Sequence, residues 1–202
     1  MDIARNIDMK STKSQFQFHF DRSLQAAAYL LGKVKCHEMP YIHLLKMLYI
    51  ADREFLAEHG YMITGDKVVA MEHGPVLSNV LNLINGYKSK SGNWQRFLKT
   101  KKKTFTVRLS QDPGIDDLSR AIMIKLDDVF ERYGTLEPFQ VVQLTHEFPE
   151  WKIFYTYNTS THIPWQSILQ HQGKEKMTPV VEGQIKLQAH QKAFQKKTNA
   201  TR

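Results

Sequence analysis

The chain has 202 residues, 42% hydrophobic and 24% charged, a globular composition that suits one domain with a real core and some additional tail. No run approaches the ~18 apolar residues of a membrane helix, and the opening MDIARNIDMKST lacks the apolar stretch and small-residue cleavage site of a secretory signal. Together with a single cysteine, Cys36, which cannot form an internal disulfide, this predicts a cytoplasmic protein in a reducing compartment, away from membranes. The net charge of +8 is unevenly placed: residues 88–108 carry eight Lys/Arg and no acid, residues 174–202 carry seven Lys/Arg against two Glu, and the remainder is net acidic. Two basic segments on an acidic body point to an anionic partner or to solubility.

In chain order, residues 1–18 read as a loose N-terminal arm, polar and without a period over most of their length. Leu24, Ala28, Leu31 and Val34 then recur at helical spacing after Asp21, which can cap the start. Pro40 and Gly60 bracket YIHLLKMLYIADREFLAEH. Pro40 suits a first helical turn and Gly60 a left-handed end. Leu44, Leu48, Ala51 and Phe55 form one stripe there, and Tyr41, Leu45, Tyr49 and Leu56 widen it. A helix so widely apolar is buried from more than one side, so it is expected at the centre of the domain.

Next, GYMITGDKVVAMEHGPV places turn residues at Gly60, Gly65 and Asp66 and a short strand at Val68–Met71. Gly74-Pro75 is expected to break that strand and open a helix faced by Leu77, Val80, Leu81 and Ile84, closed at Asn85-Gly86. Phe105, Val107 and Leu109 alternate as a strand, with Val68–Met71 as the expected partner in a two-stranded sheet. Beyond the Asp112-Pro113-Gly114 turn, Asp116 is expected to cap a helix faced by Leu118, Ile122, Leu126, Val129 and Tyr133, with Gly134 after it. Shorter helices are expected over 136–147 and from Pro164 through Leu169, and a weakly amphipathic one from Thr178-Pro179. The expected fold is mainly α, a compact bundle of about six to seven helices with one short two-stranded sheet. The expected division is an arm at 1–18, a helical domain at 19–172 and a basic, helical Lys/Gln-rich extension at 173–202.

Several catalytic signals fail on inspection. GYMITGDK has the glycine spacing of a phosphate-binding loop, but Asp66 stands where Lys is required and no Ser or Thr follows for magnesium. The 9 His include no H-E-x-x-H pair, there are no paired cysteines, and no G-x-S-x-G elbow occurs. Neither cofactor nor metal is expected. Asp52, His73 and His146 are the groups that a pocket could bring together for acid–base chemistry, or that could tie helices together as buried hydrogen-bonding residues.

Three segments carry a family resemblance: LLKMLYIADRE with Lys46, Tyr49 and Asp52, GYMITGDKVVAMEHGPV with Gly60, Thr64, Gly65, Asp66, Met71, His73, Gly74 and Pro75, and LTHEFPEW with Thr145, His146 and Trp151. From about Leu24 to at least Trp151 the chain resembles the Panacea domain, also described as SocA-like or GepA-like. The resemblance implies an antitoxin of a toxin–antitoxin pair, not an enzyme. It further implies encoding beside its toxin, often on prophages and mobile elements, and neutralisation of that toxin by direct protein–protein contact. At least one branch acts as an adaptor delivering its toxin to a cytosolic protease. The motif residues identify the domain and read as structural. Recognition is expected on the less typical parts: Trp94, Arg96, Lys101, Lys102 and Lys103 in the basic stretch, Lys192, Phe194, Lys196 and Lys197 in the tail, and the strand Val68–Met71 if its edge is open. Nucleic-acid binding is the alternative, since Trp94, Phe97 and Phe105 interleave with Lys/Arg as a stacking platform would, although no helix-turn-helix with a basic recognition helix is present.

Overall fold

The computed structural model describes residues 15–87 and 91–200, without the side chains of 91–92 and 195–200. Lys88 and Lys90 of the basic stretch, and most of the expected N-terminal arm, lie outside the described residues.

Nine α-helices and six strands follow in chain order among the described residues: α1 (Phe20–Gly32), β1 (Glu38–Pro40), α2 (Tyr41–His59), β2 (Val68–Met71), β3 (Gly74–Leu77), α3 (Ser78–Asn85), α4 (Ser91–Phe97), β4 (Leu98–Lys101), β5 (Thr106–Leu109), α5 (Arg120–Tyr133), α6 (Pro138–His146), α7 (Pro149–Phe154), β6 (Thr161–His162), α8 (Trp165–Gln170) and α9 (Thr178–Ala200). The fold is mainly helical, as expected, but richer than a bundle with one two-stranded ribbon: there are two three-stranded antiparallel sheets, ordered β1-β5-β4 and β3-β2-β6.

α2 occupies the centre. Its apolar residues wrap the whole circumference, so Leu44, Leu45, Met47, Leu48, Tyr49, Ile50, Phe55 and Leu56 are all buried. α5 and α6 pack against it, with β3, α1 and α8 closing the other sides. It ends where expected, at Gly60 in the left-handed conformation, whose N–H donates to the Leu56 carbonyl.

The strands correct three expectations. β5 does not pair with β2; it lies between β1 and β4, with Val107 opposite Met39 and Thr100. β2 is the middle strand of its sheet, paired with β3 on one side and with β6 through Val69↔His162 and Ala70↔Thr161 on the other. Val68–Met71 therefore offers no open edge to a partner. Gly74-Pro75 opens a strand, not a helix: β2 and β3 form a hairpin with Met71 opposite Gly74, joined by Glu72-His73. Pro75 is tolerated because β3 is an edge strand, where a missing N–H breaks no ladder bond, and the helix starts only at Ser78.

Two expected caps also shift. Ser119, not Asp116, begins α5, its hydroxyl accepting from the Ile122 N–H at 3.3 Å. His19 precedes α1, leaving Asp21 inside the first turn. α7 had no separate place in the sequence pattern, because six residues after a proline are too few to show a period. The described end of the arm is packed rather than loose: the Phe16 ring meets Trp165 edge-on at 6.4 Å, and the Gln17 N–H donates to Gln188 Oε1 at 3.2 Å.

Candidate functional site

The three segments singled out in the sequence converge on α2 as interior braces. The first is built on Asp52, fully buried on α2. Its carboxylate accepts from the Thr64 N–H at 2.9 Å and from the Thr64 hydroxyl. Thr64 Oγ1 in turn accepts from the Asp66 N–H at 3.1 Å. Asp66 then serves as the cap that Leu77 cannot supply to α3: its carboxylate accepts from the backbone N–H groups of Lys67, Asn79 and Val80 and from the Asn79 amide. Burial pushes the Asp52 carboxyl up to about 7 and raises Asp66, with the donated hydrogen bonds opposing the shift in both. The one carboxylate of the GYMITGDK segment, Asp66, is thus consumed by backbone donors and the Asn79 amide, and Gly65 leaves room for the Gln17 backbone beside it.

The second brace surrounds the β2–β3 turn. Lys46, also fully buried, donates from Nζ to the Pro75 carbonyl at 2.9 Å. A Cβ at Gly74 would stand 2.6 Å from that Nζ, 2.7 Å from Thr145 Oγ1 and 3.2 Å from the His146 ring, so these groups crowd one point. The His146 ring stacks on Trp151 at 4.0 Å between centroids, and Trp151 stacks on Tyr155 at 4.8 Å. Trp151 Nε1 donates to the Met71 carbonyl at 2.9 Å, clamping α7 to the hairpin. Burial lowers His146, and the charges of Lys46 and His73 lower it further. The structure thus brings His73 and His146 together around Lys46 rather than Asp52. Asp52 lies further along α2, where its hydrogen bonds go to Thr64. Of the two roles open to Asp52, His73 and His146, convergence in one pocket is not met, because Asp52 lies almost two helical turns past Lys46; Asp52 takes the other role, as a buried tie.

The third brace joins Tyr49, Arg53 and Glu150. The buried Glu150 carboxylate accepts from the Tyr49 hydroxyl at 2.9 Å and from Arg53 Nε at 2.5 Å, and the Arg53 guanidinium lies 4.2 Å from the Phe148 ring centroid. Burial raises the Tyr49 phenol well above its usual range, with the Glu150 charge adding to the shift. Arg53 and Glu150 escaped the sequence reading. Their signal was a lone acid in the otherwise apolar FPEW and a base between two acids in ADRE, which says nothing of pairing across such a separation.

Lys46 carries a pH prediction. Burial lowers its amine to about 7, against about 10.4 in an unfolded chain. Between those values the unfolded state binds the extra proton, so stability rises with pH; below pH 7 both states are protonated and the contribution is flat at its least favourable. The unfolding free energy of the wild type relative to Lys46→Met is expected to climb by on the order of 2–4 kcal/mol between pH 7 and pH 10. Urea titrations at each pH measure it, and parallel curves for the two proteins would refute it.

The expected contact residues divide. Trp94 is a correction: it is 0% exposed, with its ring edge-on to Phe20 at 6.5 Å, so it fills the core and cannot stack on a base or a partner. Arg96 is exposed, its Nε donating to Gln111 at 3.3 Å. Lys101, Lys102 and Lys103 are exposed on the β4–β5 hairpin, Lys101 paired with Glu38 at 2.7 Å. On α9, whose start packs through Val181 and Ile185, Lys192 and Phe194 are exposed, Phe194 at 72%. The side chains of Lys196 and Lys197 lie outside the described part. Among the described residues no three His, Cys, Asp or Glu side chains group as a metal ion would need, and no helix is long and apolar enough to cross a membrane.

Fold and site together define a mainly helical domain whose distinctive polar residues are spent on holding loops and hairpins to a central helix. The family model of the antitoxin SocA-like, Panacea domain matches residues 44–152, more than half of the chain, and the protein belongs to that family. The matched span holds the hydrogen-bonding residues of all three braces. Neither the search of curated proteins nor that of solved structures gave a match.

Proposed function

We propose that this protein is a cytoplasmic antitoxin that neutralises a cognate toxin, encoded by a neighbouring gene, by direct protein–protein contact and without catalysis. The observation that carries this reading is the family match over residues 44–152. The fate of the motif segments supports it: Asp52, Lys46 and Glu150 are buried in mutual and backbone hydrogen bonds, and Asp66, which lines a cavity of about 230 Å³, has its carboxylate taken up by backbone donors, which suits a scaffold and leaves recognition to the surface. The burial of Trp94 weighs against a nucleic-acid stacking platform in the basic stretch.

The test is co-expression with the adjacent gene's product. That product alone is expected to arrest growth, and this protein is expected to restore growth and co-purify with it in a stable complex. Rescue that persists in a strain lacking the cytosolic ATP-dependent proteases would mark blocking by contact. Rescue that disappears there would mark delivery for degradation. A harmless neighbour, or rescue without a complex, would overturn the proposal.

A further inference from the structure

Between the β4–β5 hairpin and the start of α6 runs a cleft of about 490 Å³, walled by Tyr41, Ile42 and Phe105 on one side and by His73, Pro138 and Phe139 on the other. Two of its rings are turned outward: Phe105 is 63% and Phe139 64% exposed. Phe105 adopts φ +55°, a conformation that bulky side chains rarely take. The hairpin is held there because the Phe105 carbonyl accepts from the Tyr41 N–H at 3.0 Å, and the Phe105 ring meets Tyr41 edge-on at 6.2 Å. Backbone strain combined with an exposed aromatic ring is a costly arrangement that folding alone does not favour, and such strain gathers at functional positions.

The charge beside this cleft has one sign. Lys99, Lys101 and Arg108 are exposed on the hairpin strands, and Lys102 and Lys103 sit in the turn just before Thr104 and Phe105. The only acid in the register opposite them is Glu38, already bound by Lys101 and Thr106. Among the described residues, Lys99, Lys102 and Lys103 make no ion pair. The acids nearest the cleft in sequence, Glu72 and Glu137, adjoin His73 and Pro138 and so belong to the other wall.

We propose that this cleft is the surface by which the protein holds its partner, and that the partner presents a segment with one or two large apolar side chains flanked by carboxylates on the hairpin side. The inference rests on the antitoxin reading and specifies its contact. The apolar side chains enter between Phe105 and Phe139, where desolvated aromatic contacts supply most of the binding energy. The carboxylates meet Lys102 and Lys103, which sets orientation and makes association salt-sensitive.

The full-length protein is titrated against a fluorescein-labelled peptide, EDEFLDEE, with KRKFLKRK and EDESGDEE as controls. The acidic apolar peptide is expected to bind saturably below about 1 mM and more weakly in 500 mM than in 50 mM NaCl, with both controls weaker. Phe105→Asn with Phe139→Ser is expected to weaken it at least about tenfold. Lys102→Glu with Lys103→Glu is expected to do the same at low salt. Asn accepts positive φ, so Phe105→Asn alone is expected to leave thermal stability equal or higher, which separates lost contact from lost folding.

No saturable binding, or equal binding by the variants, overturns the proposal. So does a dT16 oligonucleotide that binds more tightly than the peptide and is indifferent to the Phe substitutions, or a wild-type dimer that those substitutions dissociate. The same variants are then tested in growth rescue. If wild type fails to rescue, the antitoxin reading has failed whatever the peptide does. If wild type rescues and the Phe variants rescue equally, this surface is wrong and the antitoxin reading stands.

Discussion

Glu150→Ala is expected to cost about 3–5 kcal/mol of folding stability. Glu150 is fully buried, and its carboxylate is the shared acceptor for the Tyr49 hydroxyl and the Arg53 guanidinium. Truncation leaves a largely buried cation without its counter-ion and a buried phenol without an acceptor, and each uncompensated group bears its own desolvation penalty. Glu150→Gln retains an acceptor for Tyr49 while losing the charge, so it is expected to cost less than the Ala variant. Equilibrium urea unfolding followed by circular dichroism measures both. A loss for Glu150→Ala below about 1 kcal/mol would mean that water reaches the pair and that it does not brace α7 against α2.

Gly74→Ala is expected to cost at least about 3 kcal/mol, against about 1–2 kcal/mol for Gly86→Ala. Both glycines have positive φ, +92° and +81°, so both substitutions carry backbone strain. They differ in what the new methyl group meets. Nothing lies within 4 Å of a Cβ at Gly86, whereas at Gly74 it would crowd Lys46 Nζ and Thr145 Oγ1. Lys46 could move only by leaving the Pro75 carbonyl, which would strand a buried amine. Soluble yield and urea midpoints of the two variants decide the matter, and equal losses would show that strain alone governs position 74.

The helices were legible where a pattern ran long enough. α2 carried a wide apolar surface bracketed by Pro40 and Gly60, and a stripe of that width can be buried only at the centre of a domain. α3 and α9 ended or began at the expected Gly86 and Thr178. The sheets were not legible. β1, β4 and β6 are two to four residues long and partly polar, so they show no alternation, and β5 was matched to β2 because those were the two visible strands.

The same limit applies to the site. Lys46, Asp52, Asp66, His146 and Trp151 stood out as residue types in an unusual order, but their roles depend on what lies opposite them in space. Asp66 caps a helix whose first residue is Ser78, and Glu150 answers Arg53 from a distant segment. Trp94 looked like a surface ring among lysines and lies wholly inside, because a lysine-rich segment still turns one face inward.

Local information, meaning the period of apolar residues, the punctuation by Gly and Pro and the motif that marks the family, was determined by the sequence alone, since each depends on neighbours within a few residues. Strand partners, the three interior braces and the cleft between Phe105 and Phe139 were decided only by the tertiary structure. Each needs two segments far apart in the chain to meet, and burial, which turns a polar side chain into either a brace or a surface contact, exists only once they have met.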